Sequence, residues 1–282
     1  MIIKKVINNN VVSAVDDKGR EIIAMGRGLG FKAKEGDSLE DGRVEKIFRL
    51  ESQNTMDQFK ELLVGLPMEH IQISAEIIAY AKSVLEKPLN PNIYITLTDH
   101  INFALKRYEQ KMMFTNPLIR EVRSFYHEEY LIGEYAVAMI ERKLGIRLPA
   151  DEAASVALHI VNAEYNGPMR DTIRITNLIQ QVMDVVREYF QIEIDETSLN
   201  YERFITHLRF LAQRVFAGEH LELDNLEFQE VIDRLYPEEY ACSQKIQALI
   251  KYQYGHQVVE EEVAFLALHI GRIRNQQDKE RR

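Results

Sequence analysis

The sequence lacks the features of a disulfide-stabilised, membrane-spanning or secreted protein. Cys242 is the single cysteine among 282 residues, which excludes an internal disulfide and a multi-cysteine metal site. There is no apolar run near the roughly eighteen residues of a membrane span, and the first residues lack a signal-peptide pattern. We therefore expect a cytoplasmic protein in which Cys242 packs inside a helical region.

The spacing of the histidines also argues against a metal centre. There is no HExxH sequence and no pair of histidines four residues apart. A histidine-based metalloenzyme would need ligands at usable spacing and a recognisable general base, and the sequence offers neither. We expect no metal, no other cofactor and no enzymatic activity.

Acidic residues outnumber basic residues overall, but the basic residues are concentrated at one end of the chain. The formal net charge is −9, which argues against bulk affinity for nucleic acid. Residues 1–34 nevertheless contain seven Lys or Arg against three Asp or Glu, a balance of +4. Any contact with nucleic acid is therefore expected in this segment. The length and the 46% apolar content indicate an ordinary globular protein of two or three domains.

What the sequence does contain is an internal repeat. Residues 126–160 align with 236–270 at an offset of 110, and residues 94–107 align with 201–214 at an offset of 107. The first alignment matches Tyr126, Glu128, Glu129, Tyr130, Ile140, Glu152, Ala157, Leu158, His159 and Ile160 to identical residues. The second matches Tyr94, His100, Phe103 and Arg107. A period of this length implies two similar folded domains.

Each copy of the repeat carries two histidines at matched positions. They are His100 and His159 in the first copy and His207 and His269 in the second. A helical wheel places His159 opposite the apolar arc of its helix, together with Glu152, so we do not expect a packed core residue. The plain interpretation is four polar residues at helix contacts, whereas their repetition favours a functional role. An imidazole nitrogen can accept a phosphoryl group, whose roughly −1.5 to −2 charges would act as a switch in an interface.

Secondary-structure signals change near residue 55. Segments 4–17, 20–26 and 36–50 predict strands, and Asp17, Lys18 and Gly19 predict the turn of a hairpin. Such a small β module would gain stability from pairing with a second copy. Residues 52–58 are polar and predict a linker or a helix cap. From Phe59 onward apolar residues three and four apart predict six helices, a break at 166–171 and five further helices.

The β module combines amide, guanidinium and aromatic groups. Asn8, Asn9 and Asn10 follow a strand, Arg27 lies between two glycines, and Phe31 ends the sequence GRGLGF. These groups can read RNA by stacking and by hydrogen bonds to base edges and 2′-hydroxyls. The same residues also fit turn asparagines, a glycine cluster of a hairpin and a core phenylalanine.

These motifs together resemble a known family. The sequences KVINNNVVSAVDD and EIIAMGRGLGF resemble the RNA-binding module of the BglG/LicT family of transcriptional antiterminators. LTDHINFA, ALHIVNAE, YERFITHLRF and LALHI resemble that family's paired phosphotransferase-system regulation domains. The resemblance implies a small all-β RNA-binding domain at 1–55, a linker at 56–64, and two homologous all-α helical-bundle domains at 65–170 and 171–282.

The resemblance also implies a function. Members of this family are homodimers whose first domain binds a hairpin in nascent mRNA, the ribonucleic antiterminator. Binding prevents an overlapping terminator stem from forming, so transcription continues into genes for the use of β-glucosides or similar sugars. Asn10, Gly26, Arg27 and Phe31 occupy the positions that contact the RNA in such proteins.

The four repeated histidines match the phosphorylation sites of the family. These are His100, His159, His207 and His269. The resemblance implies that a sugar-specific enzyme II permease phosphorylates the first regulation domain and inactivates the protein. It implies that the carrier HPr phosphorylates the second domain and activates the protein.

A DNA-binding activator is the alternative, because related regulation domains also occur beside helix-turn-helix modules. That alternative needs a helical DNA reader in the N-terminal segment, whereas residues 1–55 predict strands.

Overall fold

The structure is a computed structural model that describes residues 1–50, 52–112, 114–219 and 226–280. The chain forms two compact units. The first contains residues 1–119 and 126–167, and the second contains residues 120–125 and 168–282. The sheet and the first copy of the repeated helical domain belong to the first unit, and the second copy belongs to the second.

The first 50 residues form an antiparallel sheet of four strands in the order β1-β2-β3-β4. The strands are β1 (Ile2–Asn8), β2 (Val11–Val15), β3 (Glu21–Met25) and β4 (Lys46–Phe48). The sequence predicts one strand where β1 and β2 lie, and this prediction is wrong because the chain reverses at Asn9 and Asn10. The side-chain Oδ1 of Asn8 accepts a hydrogen bond from the Asn10 amide at 2.8 Å, which is an Asx turn.

The predicted hairpin turn between β2 and β3 is confirmed. Gly19 has φ +75°, a conformation in which a side chain would be strained. The carboxylate of Asp16 accepts hydrogen bonds from the amides of Lys18 and Arg20. This turn lies at the end of the hairpin opposite to Asn10, since Val15 pairs with Glu21 and Val11 pairs with Met25.

One face of the sheet packs against a helix of the same chain. The helix α1 (Gln53–Leu63) buries Met56, Phe59 and Leu63. These side chains join a core cluster with the sheet residues Val11, Ile23, Met25 and Phe48. Burial of this face therefore uses α1, which includes most of the segment 56–64 predicted as a linker.

The opposite face of the sheet has its own cluster. It is formed by residues that alternate along the strands with those of the first face, namely Val12, Ala14, Ile22 and Ala24, together with Ile3, Leu29 and Leu39. On the side of the sheet that α1 covers, an ion pair links the helix to β3, because Lys60 Nζ lies 2.5 Å from Glu21 Oε1. Both sheet faces are thus covered by the chain itself.

The predicted six helices and five helices are both present. The first set is α1 followed by α2 (Met68–Val84), α3 (Ile93–Glu109), α4 (Ile119–Phe125), α5 (His127–Leu144) and α6 (Asp151–Tyr165). The second set is α7 (Met169–Phe190), α8 (Leu199–Ala217), α9 (Leu226–Leu235), α10 (Pro237–Tyr254) and α11 (Glu260–Glu280). Apart from its first residue, α4 belongs to the second compact unit.

The repeat of the sequence is a repeat of helix packing. In the first unit α2 packs on α3 and α5, and α6 packs on α3 and α5. In the second unit α7 packs on α8 and α10, and α11 packs on α8 and α10. Gly145 and Gly255 end α5 and α10 with φ +69° and +72°, as left-handed C-caps.

Two expectations from composition concern the helical domains. Cys242 is fully buried, as predicted for a packing residue, and burial raises the pKa of its thiol to about 12. No helix in the described part of the chain is long and apolar enough to cross a membrane.

Candidate functional site

The glycine-rich loop after β3, residues 26–31, presents two of the predicted RNA-contacting side chains to solvent. Arg27 is exposed, and Phe31 is 60% exposed, which excludes the interpretation of Phe31 as a core residue. Lys32 Nζ lies 5.5 Å from the centre of the Phe31 ring. The loop therefore offers a guanidinium, an aromatic face and an ammonium group together.

Glycine is required at two positions of this loop for close backbone contact. A Cβ atom on Gly26 would lie 2.1 Å from the carbonyl oxygen of Arg43, and one on Gly30 would lie 2.2 Å from that of Asn8. Gly28, between them, has φ +65° and open space around it. The three glycines thus let the loop fold tightly over the turn between β1 and β2.

Asn10 connects that turn to the loop. Its carbonyl oxygen accepts a hydrogen bond from the Gly26 amide at 2.9 Å, and its Oδ1 accepts one from the Gly28 amide at 2.8 Å. The four residues predicted to contact RNA, namely Asn10, Gly26, Arg27 and Phe31, are therefore brought together by the fold. Asn10 and Gly26 shape the loop through these bonds, whereas Arg27 and Phe31 are its exposed side chains.

Helices α1 and α2 both contact this loop region. Asn8 Nδ2 donates to the carbonyl oxygen of Leu63, the last residue of α1, at 2.8 Å. Glu45 accepts from the Arg27 amide at 3.1 Å through Oε1, and from Gln72 Nε2 in α2 at 2.7 Å through Oε2. The backbone of Arg27 is therefore held by a carboxylate that is itself held by α2. Glu45 was not singled out from the sequence, because no local pattern connects it to Arg27.

In the first helical domain α3 and α6 bring the two histidines together. The ring centres of His100 and His159 lie 4.7 Å apart. Glu152 lies beside them, with Oε2 3.2 Å from His100 Nε2, and its Oε1 accepts a hydrogen bond of 2.6 Å from Arg107 Nη2. The polar side of α6 thus faces α3, which explains why Glu152 is buried although the helical wheel places it opposite the apolar arc.

The second helical domain repeats this arrangement on α8 and α11. The ring centres of His207 and His269 lie 4.8 Å apart. Glu262 Oε2 lies 3.6 Å from His207 Nε2, and Arg214 Nε donates to Glu262 Oε1 at 2.9 Å. Each domain therefore contains the same four groups, two imidazoles, one carboxylate and one guanidinium. The Glu and the Arg were matched in the sequence repeat, but their roles were not predicted.

The surroundings of His159, His207 and His269 favour the neutral imidazole. Burial, and after it the electrostatic effect of the neighbouring His100 ring, lowers the pKa of His159 to about 3. Burial and the neighbouring His269 and Arg214 lower the pKa of His207 to about 3. Burial and two nearby arginines lower the pKa of His269 to about 4. At neutral pH these rings carry no positive charge, so each has a ring nitrogen with a free lone pair that can act as a nucleophile.

No group of three or more His, Cys, Asp or Glu side chains suited to a metal ion occurs among the residues that the structure describes. Each histidine pair instead lies beside a buried ion pair, Arg107 with Glu152 in the first domain and Arg214 with Glu262 in the second.

Family models cover most of the chain. Residues 1–57 match the CAT RNA binding domain, and residues 75–163 and 180–273 each match the PRD domain. The boundaries of these matches place the glycine-rich loop in the first domain and one histidine pair in each of the others.

Relatives match over nearly the full length. The chain is 44% identical over 273 residues to the transcription antiterminator LicT of Bacillus subtilis (strain 168), which covers 97% of this chain and 99% of the relative. It is 38% identical over 276 residues to a beta-glucoside operon antiterminator of Dickeya chrysanthemi, with 98% of each chain covered. The crystal structure of GlcT CAT-PRDI is 40% identical and covers 58% of this chain and 97% of that one, with a TM-score of 0.51. The chain therefore belongs to the family of transcriptional antiterminators that combine a CAT RNA-binding domain with two PRD domains.

Proposed function

We propose that this chain is a transcriptional antiterminator that binds a hairpin in nascent mRNA and so prevents an overlapping terminator stem from forming. The observation that carries the proposal is the exposure of Arg27 and Phe31 on one glycine-rich loop of a domain that matches an RNA-binding family. A guanidinium can contact base edges or phosphates in a bidentate way, and an exposed ring can stack on an unpaired base. Asn10 and Gly26 complete the proposed RNA site.

The proposed regulation is phosphorylation of His100, His159, His207 and His269 by the sugar phosphotransferase system. Three of these rings have strongly lowered pKa values and are neutral at pH 7, as a phosphoryl acceptor must be. The proposed donors are HPr for the second domain and a sugar-specific enzyme II permease for the first.

The proposed active form is a homodimer in the cytoplasm, where nascent mRNA is found. Two copies of the small sheet would read a single hairpin, and the helical domains would hold the copies side by side. Sedimentation of the RNA-bound protein tests this part of the proposal, and an RNA-bound monomer would contradict it.

The proposed target genes serve β-glucoside use, because one of the full-length relatives is named a beta-glucoside operon antiterminator. The proposal describes a regulator and not an enzyme. A DNA-binding activator is not favoured, since residues 1–50 form a four-stranded sheet, whereas that alternative needs a helical reader there.

A binding assay on the full chain tests the RNA site. An RNA hairpin and duplex DNA of the same sequence are titrated at several salt concentrations, and we expect tight, salt-dependent binding to the RNA alone. Arg27→Ala and Phe31→Ala should each weaken RNA binding by about 1–3 kcal/mol. Arg20→Ala is the matched control, because Arg20 is also exposed but pairs with Asp16 at the far end of the hairpin.

Tight binding of the duplex DNA would overturn the proposal. RNA binding that is unchanged by Arg27→Ala and Phe31→Ala would remove this loop from the site.

A further inference from the structure

The buried carboxylate beside each histidine pair lies where a phosphoryl group would bring more negative charge. Glu152 and Glu262 are 2% and 3% exposed. Among the described residues, the Oε2 atoms of both glutamates are buried without a hydrogen-bond partner. The same is true of Nε2 of His100 and of His207, which these glutamates face. These oxygens approach His100 and His207 to 3.2 and 3.6 Å. A phosphoryl group of roughly −1.5 to −2 charges on either histidine pair would therefore form next to a buried anion.

Each carboxylate also engages an arginine through its other oxygen. Arg107 Nη2 donates to Glu152 Oε1 at 2.6 Å. Arg214 donates to Glu262 Oε1 through both Nε and Nη2. Arg107 and Arg214 are themselves largely buried, at 12% and 23% exposed. In each domain one guanidinium is thus held by the carboxylate that lies beside a histidine ring, and in the second domain Arg203 and Arg272 also lie near His269.

The guanidinium groups of Arg107 and Arg214 each keep N–H donors from which a second anion can accept a hydrogen bond. A guanidinium has five N–H donors in a planar fork, and one carboxylate oxygen does not use them all. Arg107 Nε is buried without a hydrogen-bond partner in the described part of the chain. The guanidinium carbon of Arg107 also lies 4.1 Å from the centre of the Phe114 ring, which limits the directions in which the side chain can turn.

We propose that Arg107 and Arg214 are positioning residues for phosphorylation, each held by its glutamate while the histidines are free and drawn to the phosphoryl group after transfer. Glu152 and Glu262 are then competing anions that oppose phosphorylation. This inference rests on the proposed phosphorylation of the histidines. It assigns roles to two residues of each domain that lie beside the acceptor rings.

The transfer itself needs no further reactant. Where the donor carries its phosphoryl group on a histidine, a ring nitrogen of the acceptor attacks the phosphorus of that phosphohistidine, and the new P–N bond forms as the old one breaks. The electron pair of the broken bond returns to the donor ring. The proton lost by the acceptor imidazole is balanced by the proton that the donor imidazole gains. The arginine stabilises the transferred dianion, and the glutamate raises its free energy.

A purely structural ion pair predicts a different result from mutation. Removing either partner of a buried ion pair leaves the other charge uncompensated, so Glu262→Gln and Arg214→Gln would disturb the site in the same direction. The proposed competition predicts opposite directions. Glu262→Gln removes repulsion and frees the guanidinium, whereas Arg214→Gln removes the cation that receives the phosphoryl group.

The experiment phosphorylates the full-length chain with purified phospho-HPr and measures the occupancy of His207 and His269 at equilibrium by mass spectrometry in alkaline conditions. We expect Glu262→Gln to raise the ratio of phosphorylated to free histidine by about tenfold and Arg214→Gln to lower it by about tenfold, the size of one charge-assisted hydrogen bond. Arg214→Lys, which keeps the charge but not the fork, should fall between wild type and Arg214→Gln.

Glu239→Gln is the matched control. Glu239 is also buried and pairs with an arginine, Arg274, but this ion pair does not involve an acceptor histidine. Changes of the same sign in Glu262→Gln and Arg214→Gln, or no change in either, would overturn the inference while the phosphorylation itself stands. Absence of label on the wild-type chain would overturn the proposed phosphorylation and this inference together. Thermal unfolding of each variant confirms that the labelled protein is folded, and Arg214→Lys remains informative if Arg214→Gln does not fold.

Discussion

Glu45 should control RNA affinity although it is an acidic residue beside a basic loop. Its carboxylate accepts the Arg27 amide at 3.1 Å and Gln72 Nε2 at 2.7 Å. Glu45→Ala removes both bonds and leaves the backbone of Arg27 without this support. A net hydrogen bond stabilises by about 0.5–1.5 kcal/mol, and Glu45 is exposed, so we expect RNA binding to weaken by roughly two- to twelvefold.

The loss of a negative charge acts in the opposite direction. A carboxylate about 10 Å from an RNA phosphate opposes binding by about 0.4 kcal/mol of electrostatic repulsion in water before salt screening. This repulsion is absent in the variant. The positioning effect is the larger of the two, so the net result is weaker binding. Glu45→Gln separates them, since it removes the charge and keeps an oxygen that can accept the Arg27 amide.

Filter binding or fluorescence anisotropy with the full chain at two salt concentrations measures these effects. We expect Glu45→Gln to bind slightly more tightly than wild type at low salt, and Glu45→Ala to bind more weakly at both salt concentrations. Gln72→Ala, which breaks only the bond to α2, should have a smaller effect than Glu45→Ala. Equal affinities of Glu45→Ala and Glu45→Gln would refute the positioning role and leave only the effect of charge.

Two further predictions concern stability. Gly26→Ala places a Cβ 2.1 Å from the Arg43 carbonyl oxygen, so it should destabilise the sheet and abolish RNA binding. Gly28→Ala meets open space and should cost only about 1–2 kcal/mol of backbone strain. Urea unfolding compares the stabilities of the two variants. Burial and the adjacent Glu129 raise the pKa of Glu164 to about 7, so the folded protein holds this proton more tightly than the unfolded chain. The contribution of Glu164 to the free energy of unfolding is present below about pH 4.5 and is lost as the pH rises to about 7. Urea unfolding at pH 5 and 7.5 measures this pH dependence, and Glu164→Gln should remove about 1–3 kcal/mol of it. A pH profile identical to that of wild type would contradict the assignment.

The repeat made the helical domains predictable, because helical spacing and matched positions are both local properties of the sequence. The split between β1 and β2 was missed because Val11 and Val12 continue the β-branched pattern of Val6 and Ile7. The signal that could have located it was the run of asparagines, since Asn8 closes an Asx turn onto Asn10. Local turn chemistry outweighed β propensity at this point.

The contacts around the histidines could not be derived in the same way. Arg107 and Glu152 are 45 residues apart in sequence, and their ion pair depends on how α3 packs against α6. The helical wheel separates the polar side of α6 from its apolar side but does not say that another helix covers the polar side. The sequence did contain one useful signal, because both residues recur at matched positions in the second copy of the repeat.

The central claim is that two regulation domains carry opposite signals to one RNA-binding module. A reporter gene placed behind the terminator tests it most directly in cells that carry the chain with paired aspartate substitutions. We expect high readthrough with His207→Asp and His269→Asp, and low readthrough with His100→Asp and His159→Asp, because each added charge partly mimics a phosphoryl group. Equal readthrough from the two pairs would contradict the claim.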